Sequence, residues 1–296
     1  METAAPNKIR IYTETSRDQA ARDARSSTKR QARRKRWLIT ILIVLILTPI
    51  AGWYGLIVAG NQWINEAELN TFYEQIYGGA SPSKGKIIVL NDEMPAYISE
   101  TLLAIEDHRF YMHPGVDPIG IVRSVWVDVN KGHKAQGGST LTMQLARNLF
   151  LTQDKTFVRK FKEIAIAANL EWRYSKEEIL NMYMNKVYFG HGMYGIESAA
   201  NYYFGKTTKA NGELPTITQA ETAMLVGLLK APERYSPYKH PELAEERQQV
   251  VLNRMHELNW LPDLEWKKAT HEMVHLNPAH LNQAAMNFTQ DRNKLS

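Results

Sequence analysis

Residues Trp37–Ala59 read WLITILIVLILTPIAGWYGLIVA, and no charged residue occurs anywhere between Trp37 and Asn65. As a helix, this run is about the ~20 residues needed to cross ~30 Å of hydrocarbon. Pro49 is tolerable in such a helix. Trp37, Trp53, Tyr54 and Trp63 include candidates for the membrane interface. Lys29, Arg30, Arg33, Arg34, Lys35 and Arg36 lie immediately before it, which predicts an N-terminus in the cytoplasm and residues after ~60 outside. The basic region is too long, and the apolar stretch too extended, for a cleaved signal peptide. Buried helices of soluble proteins rarely run this long without charge.

Charge divides along the same line. The 296 residues hold 36 Lys+Arg against 31 Asp+Glu, a net of +5. Residues 1–36 hold eleven Lys/Arg and four Asp/Glu, a net of +7, so the other 260 residues sum to −2. A nearly neutral body argues against nucleic-acid binding, which needs clustered basic charge. With 44% hydrophobic and 23% charged residues, the chain can bury a core. Its length suits one sizeable domain plus accessories, or two small ones. Cysteine is absent, which excludes a disulfide framework, a thiolate metal site and a cysteine nucleophile.

Downstream of the anchor, residues 66–77 have amphipathic helical spacing, and Gly78–Gly85 (GGASPSKG) reads as a linker. Lys86–Leu90 (KIIVL) is the best strand candidate. Nearly everything after Asn91 is helical by pattern. A helix is expected over Pro95–Ile105, and Asp117 can cap another that begins at Pro118. Ser175-x-x-Glu178 and Thr218-x-x-Glu221 fit the capping box. Further helices are expected near 140, 157, 176, 196, 218 and 242. The body is predominantly α.

Two of these helices have a polar side. In Phe157–Trp172, the residues Phe157, Phe161, Ile164 and Ala168 share one arc, and Arg159, Lys160 and Glu163 another. In the helix from Thr140, Leu141, Leu145 and Leu149 stack, while Gln144, Arg147 and Asn148 share the other side. On spacing alone such polar faces are ordinarily solvated. The preceding Gly137-Gly138-Ser139-Thr140 suggests a helix N-terminus whose free N–H groups could bind an anion. Glu106 and Asp107 form a pair at the expected C-terminal end of the helix from Pro95, where the dipole raises a carboxyl pKa and makes a better base. His108, Arg109 and His113 crowd the same turn, and a structural ion-pair cluster is the alternative reading there.

Five segments then occur in order: EDHRFYMHPGVD (Glu106–Asp117), QGGSTLTMQLARN (Gln136–Asn148), RKFKE (Arg159–Glu163), KEEILNMYMNKVYFG (Lys176–Gly190) and ERQQVVLNRM (Glu246–Met255). Together they resemble the motifs of the bacterial peptidoglycan glycosyltransferases, glycosyltransferase family 51, over about residues 87–260. That resemblance implies a mainly α, lysozyme-like two-lobed catalytic domain with one N-terminal transmembrane helix. It implies polymerisation of lipid II into β-1,4-linked glycan strands, with release of undecaprenyl pyrophosphate and inversion at the anomeric carbon. Glu106 would be the general base. Glu163 would be the second catalytic carboxylate, holding a divalent cation (Mg or Mn) near the leaving group, and no organic cofactor is implied. Arg147, Lys155, Arg159 and Lys160 fall where the family contacts pyrophosphate. Gln144 and Asn148 fall along the sugar cleft, with Ser139 and Thr140 at the loop. Where the family has two consecutive glutamines, this chain has Met143-Gln144.

The implied layout is a basic cytoplasmic tail (1–36), a transmembrane helix (37–59), a membrane-proximal segment and linker (60–86), the glycosyltransferase domain (87–260) and a C-terminal helical extension (261–296). The implied setting is the outer face of the bacterial cytoplasmic membrane. Partners would be lipid II, the nascent glycan strand, the membrane, and a transpeptidase or other cell-wall synthesis protein, with no nucleic acid. Trp63, Phe72, Tyr73 and Tyr77 suit either membrane docking or core packing.

The chemistry agrees with that inventory. A leaving pyrophosphate needs cationic donors as charge develops on it, and an acceptor hydroxyl needs one base. A hydrolase with paired carboxylates and an activated water would not need the Arg/Lys cluster. His271–His275 (HEMVH) fits the HExxH zinc pattern, but Pro278 stops the helix soon afterwards and no third ligand has the right spacing. Ser26–Lys29 and Ser81–Lys84 fit SxxK by letter, yet no KTG follows and the chain reads as monofunctional.

Overall fold

The computed structural model describes residues 7–78, 88–131, 138–152, 154 and 156–280, with side chains described from Arg33 onward except at 125 and 127–131. The chain parts into two compact units, Met1–Gly55 and Leu56–Ser296. Helix α1 (Asn7–Asn61) contains Pro49 within it. Its Arg33–Asn61 portion spans 29 residues and contains an 18-residue stretch of mean hydropathy 2.4, 6% of it buried, long and apolar enough to cross a membrane by length and composition.

The larger unit is helical, as expected. It contains α2 (Glu66–Tyr77), α3 (Ala96–Glu106), α4 (Pro118–Lys131), α5 (Leu141–Phe150), α6 (Phe157–Arg173), α7 (Lys176–Lys186), α8 (Ile196–Phe204), α9 (Gln219–Leu228), α10 (Pro241–Glu257) and α11 (Asp263–His271). Starts coincide with side chains that satisfy orphan N–H groups. Thr140, Thr156, Ser175 and Thr218 all cap in this way, the last two in full capping boxes. Asp117 accepts the Ile119 N–H at 3.1 Å at the head of α4.

The helices gather into two sets, α3, α9, α10 and α11 on one hand and α2, α5, α6 and α7 on the other, with α8 touching both α7 and α9. The core is continuous through them. Leu141, Met143 and Leu145 of α5, Ile166 and Leu170 of α6, Met182 and Tyr183 of α7, and Leu225 and Val226 of α9 have no accessible surface. At about 25 cal/mol per Å² of apolar surface, burial on this scale dominates folding.

Two expectations are corrected. Ile88–Leu90 forms no strand, and Lys86 and Ile87 lie outside the described residues. The Val89 backbone pairs instead with a side chain, donating to Asn185 Oδ1 at 3.1 Å and accepting from Asn185 Nδ2 at 2.7 Å. Asn181 accepts the Asn91 N–H at 2.7 Å. Two α7 amides thus satisfy groups that a neighbouring strand would otherwise satisfy. Second, α11 stops at His271, so the HEMVH segment is not on a helix and cannot place both histidines on one face. Of the residues that suit either membrane docking or core packing, Phe72 is buried in the core and Trp63 is half-buried, edge-on to Phe161 at 6.1 Å.

Candidate active site

Asp107 organises the site, in the manner of the ion-pair reading of this turn. It follows the last residue of α3, and its buried carboxylate accepts the Leu141 N–H at 2.9 Å, at the first turn of α5. A carboxylate there is favoured by the helix dipole. The same carboxylate faces buried His113 Nε2 at 3.0 and 3.1 Å. Thr140 completes the join, donating to Gly115 O at 2.5 Å and accepting the Met143 N–H at 3.2 Å. Gly115 has φ +92°, and a Cβ there would meet Ala167 O at 3.0 Å. Only glycine lets this turn press against α6.

This staple corrects the anion-binding expectation for the N-terminus of α5. The Leu141 and Met143 N–H groups are already occupied by Asp107 and Thr140. Thr140 is itself 3% exposed and engaged in structure rather than free for substrate. Gly137 lies outside the described residues.

One turn into α5, Gln144 Nε2 donates to Glu106 Oε2 at 2.8 Å, while Gln144 Oε1 accepts from Tyr183 OH at 3.0 Å. The tyrosine hydroxyl thereby orients the amide, and the amide holds the carboxylate. Burial pushes the Glu106 carboxyl above the usual carboxylate range, opposed by the Gln144 bond and the positive charges of Arg247 and Arg147. The raised basicity expected from the helix end is present, but its main cause is desolvation. Met143, the departure from the double glutamine, is wholly buried, so the missing amide leaves no gap beside Gln144.

The second cluster lies on α6. Glu163 has no accessible surface. It is paired with the Arg159 guanidinium, with Lys160 Nζ at 3.1 Å and with Arg147 Nη1 at 3.9 Å. One carboxylate among three cations leaves a local charge of +2. Lys160 Nζ also donates to Ser139 Oγ at 2.6 Å, and burial pulls its ammonium below the usual lysine range. Arg147 Nε is buried without a partner. Glu163 on the polar arc of α6 therefore faces inward, contrary to the solvated face that spacing suggests. The apolar arc divides, with Phe157 96% and Phe161 49% exposed near its start and Ala168 buried further along.

A pocket of about 40 Å³ opens beside Glu106, lined by Asp107, His108, Arg123, Ser139 and Thr140 among others; Ser139, through its bond to Lys160, is its link to the cation cluster. Arg123 Nη1 lies 3.0 Å from His108 Nε2 across the pocket. The structure thus brings together Glu106, Ser139, Gln144, Arg147, Arg159, Lys160 and Glu163. Asn148 is half-buried, next to Arg147 on α5, and Lys155 lies outside the described residues. Tyr183 and Arg247 were not singled out from the sequence, although both lie in quoted motif segments. Gly227 makes room for Arg247, since a Cβ there would stand 3.0 Å from the arginine Cγ.

The donor set does not fit a resident divalent ion at Glu163. Both of its oxygens already face cations, and among the described residues no three acidic or histidine side chains gather as ligands. A metal there would meet three positive charges at close range.

Residues 73–256 match the profile of the family described as Transglycosylase. Penicillin-binding protein 1F of Bacillus subtilis (strain 168) is 39% identical over 238 residues, covering 77% of this chain and 32% of that protein. A Cupriavidus necator protein named "Putative transglycosylase" is 42% identical over 184 residues, covering 62% of this chain and 77% of its own length. The crystal structure of penicillin-binding protein 1A from Haemophilus influenzae is similar at 21% identity and a TM-score of 0.37, over 65% of this chain and 18% of that one. The chain spans about a third or less of the length of the penicillin-binding proteins it matches.

Proposed function

The chain belongs to the transglycosylase family, glycosyltransferase family 51, and on that premise we propose that it polymerises lipid II into β-1,4-linked glycan strands with Glu106 as the general base. The observation that carries this reading is a desolvated carboxylate held by Gln144 beside a cation cluster around Glu163, with Arg147 bearing on both carboxylates. Each half suits one end of a glycosyl transfer.

Glu106 removes the proton from the 4-hydroxyl of an incoming sugar, and that oxygen bonds to the anomeric carbon of the growing strand. The bond from that carbon to undecaprenyl pyrophosphate breaks, and the configuration inverts from α to β. Charge developing on the pyrophosphate meets Arg147, Arg159 and Lys160, which lie within a low-dielectric site where such contacts are strongest. Ser139 fixes the Lys160 ammonium. Glu163 holds the three cations together and keeps them from repelling one another apart before substrate arrives. By the family resemblance, Lys155 would join the same group. No step requires a metal at Glu163.

The anchor fits a substrate confined to the bilayer. We place residues 37–59 across the bacterial cytoplasmic membrane, with the basic tail 1–36 inside and the catalytic residues 87–260 outside. A transpeptidase or other cell-wall synthesis protein would act on the emerging strand. The test is lipid II polymerisation by the purified full chain and by Glu106→Gln. Wild type is expected to make glycan strands, and the variant to lose at least ~10²-fold in rate. Absence of strands from the wild type defeats the proposal, and equal rates remove Glu106 from the role of base.

A further inference from the structure

Arg247 stands apart from the other cations of the site. It lies on α10, which packs on α3 and α9, whereas Arg147, Arg159 and Lys160 gather at Glu163 from α5 and α6. Arg109, Arg147, Arg159, Arg173 and Arg254 each pair with a carboxylate, and among the described residues Arg247 pairs with none. It is half-buried, and its Nε is buried without a hydrogen-bond partner. A guanidinium cannot shed its proton, so burying it unpaired carries a cost that packing alone does not explain.

The seat is nonetheless built for it. Gly227 of α9 leaves open the space of a Cβ that would stand 3.0 Å from the Arg247 Cγ. The Tyr235 ring lies 6.0 Å from the guanidinium, at the outer reach of a cation–π contact. The carboxylate whose charge it feels is Glu106, the last residue of α3.

We propose that Arg247 is a positioning residue of the reaction, the fixed counter-charge that keeps Glu106 ionised while an anionic substrate occupies the cation cluster. This role rests on the transferase reading and deepens it at the base. Two cations favour the ionised Glu106, Arg247 more strongly than Arg147. Arg147 also lies 3.9 Å from Glu163, in the cluster that receives the pyrophosphate on that reading. Negative charge arriving there engages Arg147 and repels the Glu106 carboxylate, which favours its protonated form. A base protonated by the arrival of its own substrate cannot take a proton. Arg247 lies outside the cluster, so its charge still acts on Glu106 when the cluster is filled. No other group around Glu106 supplies this. Burial holds Tyr183 neutral, burial and Arg123 draw His108 toward its neutral form, and Asp107 acts in the opposite sense.

The test is the pH dependence of lipid II polymerisation by the full chain in detergent, with Arg247→Gln and Arg247→Lys. The acid limb of kcat reports the base with substrate bound. Arg247→Gln should move that limb upward by about one pH unit, the size of a lost opposite charge nearby, with the rate recovering on the alkaline side. Arg247→Lys keeps the charge and should keep the limb. His108 responds to Arg123, Arg254 and Arg109 rather than to Arg247, so a limb that moves with Arg247 belongs to Glu106. A residue that only holds α10 in place would lower kcat at every pH and leave the limb unmoved, and that result overturns the proposal. So does a lysine variant whose limb moves as far as that of the glutamine variant. A second readout needs no turnover: at pH 8, Glu106→Gln should raise the Tm of Arg247→Gln more than it raises that of wild type. Equal rises overturn the counter-charge. Unequal rises in a chain that makes no strands would leave the counter-charge standing and defeat the transferase reading alone.

Discussion

Replacing Glu163 by glutamine removes one negative charge from a fully buried position without changing side-chain shape. Three cations then face one another with no counter-charge. At an effective dielectric of ~20, the lost attraction is roughly 5 kcal/mol for Lys160 at 3.1 Å and roughly 4 kcal/mol for Arg147 at 3.9 Å. The measured cost will be smaller, because the carboxylate no longer has to be desolvated. Removing one partner of a buried pair typically costs ~3–5 kcal/mol, and Lys160, with its side chain 38% exposed, can turn to water. We expect the lower end, about 3 kcal/mol, or a Tm lowered by roughly 6–12 °C for a unit of this size. Thermal unfolding of the full chain in detergent reads this directly. Inorganic pyrophosphate supplies the missing charge, so millimolar additions should raise the Tm of Glu163→Gln more than that of wild type. A variant that melts within ~2 °C of wild type would refute the reasoning. So would a pyrophosphate response no larger than the wild-type one, since the cations would then not be waiting for an anion.

Glu106 yields a prediction of sign. Its folded pKa is raised, so burial costs stability once the pH has risen through that pKa, and the cost vanishes below the unfolded value. Glu106→Gln should therefore be more stable than wild type at pH 8 and no different near pH 4, while wild-type kcat/KM falls as pH drops through a value above the ordinary ~4.3 of a glutamic acid. Equal stabilities at pH 8, or an acid limb at the ordinary value, would contradict the burial of this group. A chelator should reduce the polymerisation rate less than about tenfold, because the leaving group is met by side-chain cations; complete loss on EDTA, restored by Mg or Mn, would return the metal to Glu163. Ser175→Ala removes the capping box of α7 and should cost about 1 kcal/mol, read by denaturant unfolding.

Much of the fold was legible because it is local. The capping boxes at Ser175 and Thr218, the Asp117 cap and the long apolar run each depend on neighbours within four residues, and each formed where the pattern indicated. Local pattern failed where a partner came from far along the chain. KIIVL has strand-like residues, but Asn185, 96 positions away from Val89, takes its hydrogen bonds. The polar arc of α6 looks like a solvated face, yet Glu163 is buried because Arg147 of α5 and the Ser139 loop close over it. HEMVH has the letters of a zinc site, and α11 ends at its first residue.

The sequence by itself determined the long apolar helix, the helical class and the family, since charge blocks, period-3.6 spacing and five ordered motifs are properties of residue order. It also named most of the side chains that meet at the cleft. Only the tertiary structure decided their duties. Asp107 became the staple of α5, Thr140 turned inward to the backbone of Gly115, Tyr183 came to orient Gln144, and Arg247 came to face Glu106. The reason is physical: a carboxylate's basicity and a hydroxyl's availability are set by which groups surround them and how much water is excluded, and those neighbours come from helices that only folding brings together.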